Sequence, residues 1–457
     1  MSERQFDVVV VGAGPAGEVC AGRLGEGGLS VALVEEHLVG GECSYYACMP
    51  SKALLRPAEL LAEVERVPGA REAVTGSLDV AAALARRDEV IHNLDDSDQL
   101  PWLEERRVDV VRGRARLTGE RRVEVGDETL VAARAVVVAV GSGALLPPIP
   151  GLAEARPWTN REATTATAAP ESLLVLGGGV VGVELAQAWS SFGSRVTVVE
   201  ALPRVLAREE PFASEQVDTA LRERGVDVRV GAKATGVSRS NGAVRIELED
   251  GSSVEGSELL AAVGRRPHTT DLGLDAIGLE PGRPVAVDDR LRVDGLDWLY
   301  AIGDANGRVL LTHMGKYQGR IACDVILGKD ARISPLADGA LSPRVVFTDP
   351  QVAAVGHTLA GAEEAGLNVR AVDAGTSSNA GGSFYGRNAP GTSRLVVDLD
   401  RNVVVGATFT GSEIADFLHA ATIAVVGEVP LDRLWHAVPS FPTRSEVWLR
   451  LLEEFGL

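Results

Sequence analysis

The chain has 457 residues, 45% of them apolar and 24% charged, and its 45 Lys and Arg against 64 Asp and Glu give a formal charge of −19. That balance excludes a disordered chain, a collagen-like chain and a disulfide scaffold, and the acidity argues against a nucleic-acid partner. At roughly 150 residues per domain the length predicts about three domains. Only Lys52, Lys233, Lys316 and Lys329 are lysines, so a lysine inside a motif is not background.

In chain order, the first element is a buried strand, Asp7-Val-Val-Val-Val11, which ends in Gly12-Ala-Gly14-Pro-Ala-Gly17. An Ala/Leu-rich helix and a second strand, Ser30-Val-Ala-Leu-Val-Glu35, follow. The same pattern returns as Ser172-Leu-Leu-Val-Leu-Gly177-Gly-Gly179-Val-Val-Gly182, a helix to Phe192, and Arg195-Val-Thr-Val-Val-Glu200. In each copy the acid follows the first glycine by 23 residues (12 to 35, 177 to 200). The first glycine makes the tight turn, the second admits a pyrophosphate, and the third lets the helix pack on the strand. The helix N-terminus offers free N–H groups to phosphate, and the acid suits a ribose hydroxyl. The spacing therefore predicts two dinucleotide-binding units.

The strand patterns Ala135–Val140, ending at Gly141, and Leu259–Val263, ending at Gly264, form a second pair that closes each unit. Pro147-Pro148-Ile-Pro150-Gly151 reads as a stiff linker, and Ile333–Pro343 as a second one. The apolar stretch Ala135–Leu152 is interrupted by glycines and prolines and does not read as a membrane helix. The start runs straight into Val8–Val11, with no signal-peptide pattern. Four cysteines in the chain suit a reducing, cytoplasmic compartment. Beyond the second linker come alternating strands and helix-like stretches at Ile414–Val426 and Glu446–Phe455, an α+β tail.

After the first unit stands Gly40-Gly41-Glu42-Cys43-Ser-Tyr45-Tyr46-Ala-Cys48-Met-Pro50-Ser51-Lys52. A C-x4-C spacing fits neither a zinc ribbon nor a thioredoxin motif. The segment resembles the redox-active disulfide helix of the pyridine nucleotide–disulfide oxidoreductases, the glutathione reductase and dihydrolipoamide dehydrogenase family. The resemblance covers essentially the whole chain. It implies an α/β fold with an FAD-binding domain (1–146 and 265–334), an NAD(P)-binding domain (147–264) and a C-terminal α+β dimerisation domain (335–457). It implies that Gly12, Gly14, Gly17, Glu35, Gly41, Lys52, Gly141, Gly303 and Asp304 serve FAD, with Asp304 at the ribityl chain. Gly177, Gly179, Gly182, Glu200 and Gly264 would serve the nicotinamide nucleotide. Cys43 matches the interchange thiol and Cys48 the charge-transfer thiol. Lys52 matches the lysine that pairs with a helix glutamate, here Glu184. The implied reaction passes electrons from NADH through the flavin and a Cys43–Cys48 disulfide to an acceptor, in a homodimer. Cys20 and Cys323 lie in apolar helix patterns and read as core.

One position departs from the family. Its His-Pro-Thr-x-x-Glu motif, which supplies the proton for thiol exchange, reads here Phe441-Pro442-Thr443-Arg444-Ser445-Glu446. Phe441 takes the histidine's place while Glu446 is kept. His436, Tyr45 and Tyr46 are the alternative proton donors; packing is the competing reading for each. Mercuric reductases lack this histidine too, but their C-terminal cysteine pair is absent from Glu454-Phe-Gly-Leu457. A quinone or metal-ion acceptor is therefore the second reading, and a dihydrolipoamide dehydrogenase subunit of a 2-oxo acid dehydrogenase complex the third. Glu200 repels a 2′-phosphate, and Arg204 alone does not reverse this, so NADH is expected over NADPH.

Overall fold

The computed structural model describes every residue except Met1 and Asn388. The chain divides into two compact units. The first holds Met1–Pro50, Arg87–Leu145 and Arg265–Gly339; the second holds Ser51–Arg86, Leu146–Gly264 and Ala340–Leu457. The breaks at 145/146 and 339/340 fall beside the two proline-rich linkers read in the sequence.

The first unit is built on one eight-stranded sheet. Its parallel centre runs Leu296–Ala301, Glu128–Val138, Ser2–Val11, Val31–Glu35, Val108–Arg112. Both faces of this sheet are covered, so its strands are continuous apolar runs rather than alternating ones. Val8 and Val10 enter one core with Cys20, Leu24 and Cys323, while Val9 and Val11 enter the opposite core with Leu117 and Trp298. Cys20 and Cys323 are fully buried, as expected of core residues.

The second unit holds three sheets. A parallel one runs Asp227–Arg229, Arg195–Val199, Ser172–Leu176, Glu258–Ala261. A three-stranded antiparallel sheet packs beside it, and a five-stranded antiparallel sheet carries the C-terminal region. The tail helices are Leu418–Val426 and Val447–Phe455, each starting slightly later than the apolar stretch that announced it. The five-stranded sheet buries Phe409 and Leu395 against Val447 and Leu451 of those helices.

The segment 51–86 differs from its expected place in an unbroken first domain, 1–146. It clusters with the second unit because Leu54, Leu55, Ala83 and Leu84 share one core with Val175, Val183 and Trp189. These apolar side chains lie on one face of otherwise polar helices, a pattern that shows a face is buried but not which neighbour buries it.

Candidate active site

In the first unit the strand Ser2–Val11 stops at Gly12, whose φ of +102° suits glycine alone without strain. A Cβ on Gly17 would strike the Gly12 carbonyl oxygen, so helix Pro15–Glu26 leaves the turn at close range. Gly14 faces open space: a Cβ there would meet nothing within 4 Å. Glu35 is tied to the turn by both oxygens. Oε2 accepts from the Ala13 amide at 2.7 Å and Oε1 from the His37 amide at 2.8 Å.

The second unit repeats the device. Gly177 has φ +110°, Gly182 abuts the Gly177 carbonyl, and Gly179 faces open space. Glu200 Oε2 accepts from the Gly178 amide at 2.6 Å and Oε1 from the Leu202 amide at 2.7 Å. Each turn combines an open second glycine, a helix N-terminus and a fixed carboxylate with lone pairs left for hydroxyl groups. That is the donor and acceptor set a dinucleotide requires.

Around the first turn lies a polar cluster. Gly41, at φ +58°, brings its backbone so near Gly14 that a Cβ would lie 2.8 Å from the Gly14 Cα. Asp304, in the turn Gly303–Asn306, accepts from Ser142 Oγ at 2.5 Å. Arg265 donates to the same Ser142 hydroxyl at 2.8 Å, lies 3.8 Å from Asp304 and reaches Glu42 at 3.7 Å. Burial raises the Asp304 pKa above the usual carboxylate range, and the Ser142 hydrogen bond and Arg265 oppose the rise. Glu18, on helix Pro15–Glu26, is pushed up to about 7 by burial, with Lys316 opposing and Glu35 and Asp96 adding to the rise.

Cys43 lies in the short helix Gly41–Tyr45, and Cys48 is the first residue of helix Cys48–Arg66. The four cysteines are unbridged in this structure. Cys43 hydrogen-bonds Cys48, and the Cys48 sulfur lies 3.3 Å from the Thr312 hydroxyl. Its bond to Cys48, burial and the neighbouring sulfur's charge all push the Cys43 thiol well up; Thr312 and Lys316 oppose them. Tyr45 is buried and donates its hydroxyl to the Val39 carbonyl at 3.1 Å. Burial, then Asp96 and Glu18, push its pKa up to about 12, which makes it a poor proton donor.

In the second unit Lys52 donates to Glu184 Oε2 at 2.7 Å, and its ammonium sits 4.8 Å from the Phe347 ring centroid. The Phe347 amide donates to Glu184 Oε1 at 2.9 Å. Glu184 is 3% exposed, and both its oxygens are engaged. The same helix, Val180–Ser191, uses Gln187 to accept from the Asp349 amide at 2.8 Å.

Residues 6–319 match the model of the pyridine nucleotide-disulphide oxidoreductase family, and residues 342–451 match its dimerisation domain. The chain belongs to that family. It is 34% identical to a dihydrolipoyl dehydrogenase of Chlorobaculum parvum over 97% of this chain and 96% of that one. It is 28% identical to a mercuric reductase of Lysinibacillus sphaericus over 98% of this chain and 82% of that one. Among solved structures it resembles the copper(II) complex of the HOCl-induced flavoprotein disulfide reductase RclA from Escherichia coli. That match has a TM-score of 0.87 and 25% identity, covering 98% of this chain and 99% of that one. The protein is accordingly an FAD-dependent, pyridine-nucleotide-linked oxidoreductase with the family's α/β fold. No helix among the described residues is long and apolar enough to cross a membrane.

The segment that carries Phe441 lies largely open in this chain. Phe441 is 76% exposed, and Val438 nearby is 83% exposed. Glu446 Oε2 is buried and accepts no hydrogen bond among the described residues. His436 is exposed. Sequence reasoning assigned no role to Thr312, Ser142, Arg265, Phe347 or Glu18. Ser142 and Arg265 sat inside the paired strand-end motifs and could have been singled out there. Thr312 carries no sequence signal, because only helix packing brings it to the sulfurs.

Proposed function

We propose that this protein oxidises NADH and delivers the electrons through Cys43 and Cys48 to a small-molecule acceptor, acting as a homodimer in a reducing, cytoplasmic compartment. Bound FAD and nicotinamide nucleotide supply the two-electron chemistry. The first glycine turn, with Gly12, Gly14, Gly17, Glu35, Gly41, Gly141, Gly303 and Asp304, holds FAD. Gly177, Gly179, Gly182, Glu200 and Gly264, within 147–264, hold the nicotinamide nucleotide, and residues 335–457 form the dimer surface. Cys43 attacks the acceptor and Cys48 carries the negative charge when the pair is reduced. Lys52, fixed by Glu184, places a cation where negative charge builds up on the flavin ring.

The observation that carries this reading is the Cys43–Cys48 pair beside the Thr312 hydroxyl, in a chain with two glycine turns built alike. Its test is a screen of NADH-driven acceptors covering lipoamide, low-molecular-weight disulfides, quinones and metal ions. Reduction of at least one of them, lost in Cys48→Ser, supports the proposal. Turnover indifferent to Cys48 with every acceptor contradicts it.

The nucleotide preference has its own check. Glu200 puts a carboxylate where a 2′-phosphate would sit. Arg204, the nearest candidate to neutralise it, donates to the Ala207 and Glu209 carbonyls, each at 2.8 Å. NADH should exceed NADPH in kcat/KM by roughly tenfold or more, the scale of one unfavourable polar contact. Equal values for the two nucleotides would refute the assignment of Glu200.

Phe441 favours a second reading, in which the acceptor is a quinone or metal ion. Such an acceptor has no leaving thiolate to protonate. An exposed phenyl ring in the relay position is then no handicap.

A further inference from the structure

In the second unit, one short turn meets the motif lysine both directly and through its partner glutamate. Strands Arg344–Val346 and Gln351–Gly356 pair antiparallel, and residues 347–350 join them. Helix Val180–Ser191 grips this turn at alternate residues. Glu184 accepts from the Phe347 amide at 2.9 Å, and Gln187, one turn on, accepts from the Asp349 amide at 2.8 Å. The buried Asp349 carboxylate accepts in turn from Arg224 at 2.6 Å and Arg66 at 2.5 Å. The turn is thus anchored on both sides, and the Phe347 ring packs against the core that holds Leu54 and Val183. Lys52 places its ammonium over that ring, 4.8 Å from the centroid. Its oxygen partners are Glu184 Oε2 at 2.7 Å and Ser51 Oγ at 3.3 Å. An ammonium has three N–H donors, so these two acceptors leave one unclaimed by an oxygen of the described residues.

We propose that Phe347 is a positioning residue for Lys52, its ring face holding the ammonium where Glu184 alone does not fix it; this rests on the reading of Lys52 given above. A lysine carries its charge on a flexible four-carbon stem. One carboxylate sets a distance to that charge and leaves it free to swing around the oxygen. An aromatic face attracts a cation through its quadrupole and supplies a second point of attachment. The ring bears no net charge, so it does not neutralise the ammonium as a second carboxylate would. The positive charge is held in place and remains available where negative charge builds up on the flavin ring. Phe347 serves in two ways: its amide fixes Glu184, and its ring fixes Lys52. The amide survives any side-chain replacement at 347 other than proline, so the two contributions can be separated. No bond is made or broken at Phe347.

The test uses the FAD-loaded protein as wild type, as Phe347→Leu, as Phe347→Tyr, and with Phe347 replaced by 3,4,5-trifluorophenylalanine. The fluorinated ring keeps its shape and loses the negative potential of its face. Two readouts are followed. One is the rate of Lys52 acetylation by acetic anhydride, read by peptide mass spectrometry with exposed Lys233 as the internal reference. The other is the rate constant of flavin reduction by NADH in stopped flow, separated from the NADH dissociation constant. Losing the ring face favours the neutral amine. Lys52 should therefore react roughly threefold faster in Phe347→Leu and in the fluorinated variant, and flavin reduction should slow by about the same factor at unchanged NADH affinity. Phe347→Tyr keeps the face and should match wild type in both readouts. Should leucine loosen the core, the fluorinated ring fills the same space and still decides the question. A fluorinated variant whose Lys52 reacts as in wild type overturns the role of Phe347. Faster Lys52 labelling with unchanged flavin reduction overturns instead the reading of Lys52 as the cation that serves the flavin.

Discussion

Phe441→His should raise turnover of lipoamide or glutathione disulfide by about 10²-fold or more, the scale of general acid–base help at one proton transfer. A phenyl ring can neither protonate a leaving thiolate nor accept a proton from Cys43. Glu446 is ready to orient an imidazole at that position, because its Oε2 is buried and has no hydrogen-bond partner among the described residues. A histidine Nδ1–H would satisfy that oxygen and leave Nε2 free for exchange. Phe441 is 76% exposed in the single chain, as expected of a residue that a second copy would cover in the proposed dimer. Flavin reduction by NADH should be unchanged, since it does not involve this segment. Stopped-flow reduction and steady-state disulfide assays on both variants decide the matter. A histidine variant no faster than wild type would mean that the relay position does not face Cys43.

Cys43→Ser should have the other large effect. Removing the attacking sulfur should cut disulfide turnover on the order of 10⁴-fold or more, the scale of losing a covalent nucleophile. Its effect on other acceptors separates the two readings of function. If quinone reduction survives in Cys43→Ser while disulfide reduction disappears, electrons reach the quinone without the outer thiol. If both disappear, the thiol pair is the common exit.

Much of the site was legible in the sequence because backbone geometry imposes it. Gly12 and Gly177 occupy a conformation that other residues avoid, and Gly17 and Gly182 abut carbonyl oxygens, so their spacing was visible without any structure. The two core cysteines were legible from helix periodicity: Cys20 and Cys323 fall among the apolar positions of their helix patterns, next to Ala21 and Ala322. The placement of 51–86 was not. An amphipathic helix shows that Leu54 and Leu55 are buried but not that Trp189 helps to bury them. Thr312 was invisible because it meets Cys48 across 264 residues of sequence, through a glycine-mediated helix contact. The doubt over tyrosine donors also needed three dimensions. Tyr45 sits in the cysteine loop, as a donor would, yet its hydroxyl is spent on the Val39 carbonyl.

The central claim is that electrons from the nicotinamide nucleotide reach Cys43 and Cys48. The direct measurement is differential alkylation of the air-oxidised, FAD-loaded protein before and after anaerobic addition of one equivalent of NADH, read by peptide mass spectrometry. The account predicts that Cys43 and Cys48 are both protected beforehand and both labelled afterwards, while buried Cys20 and Cys323 do not change. Bleaching of the flavin with Cys43 and Cys48 labelled equally in both samples would contradict it.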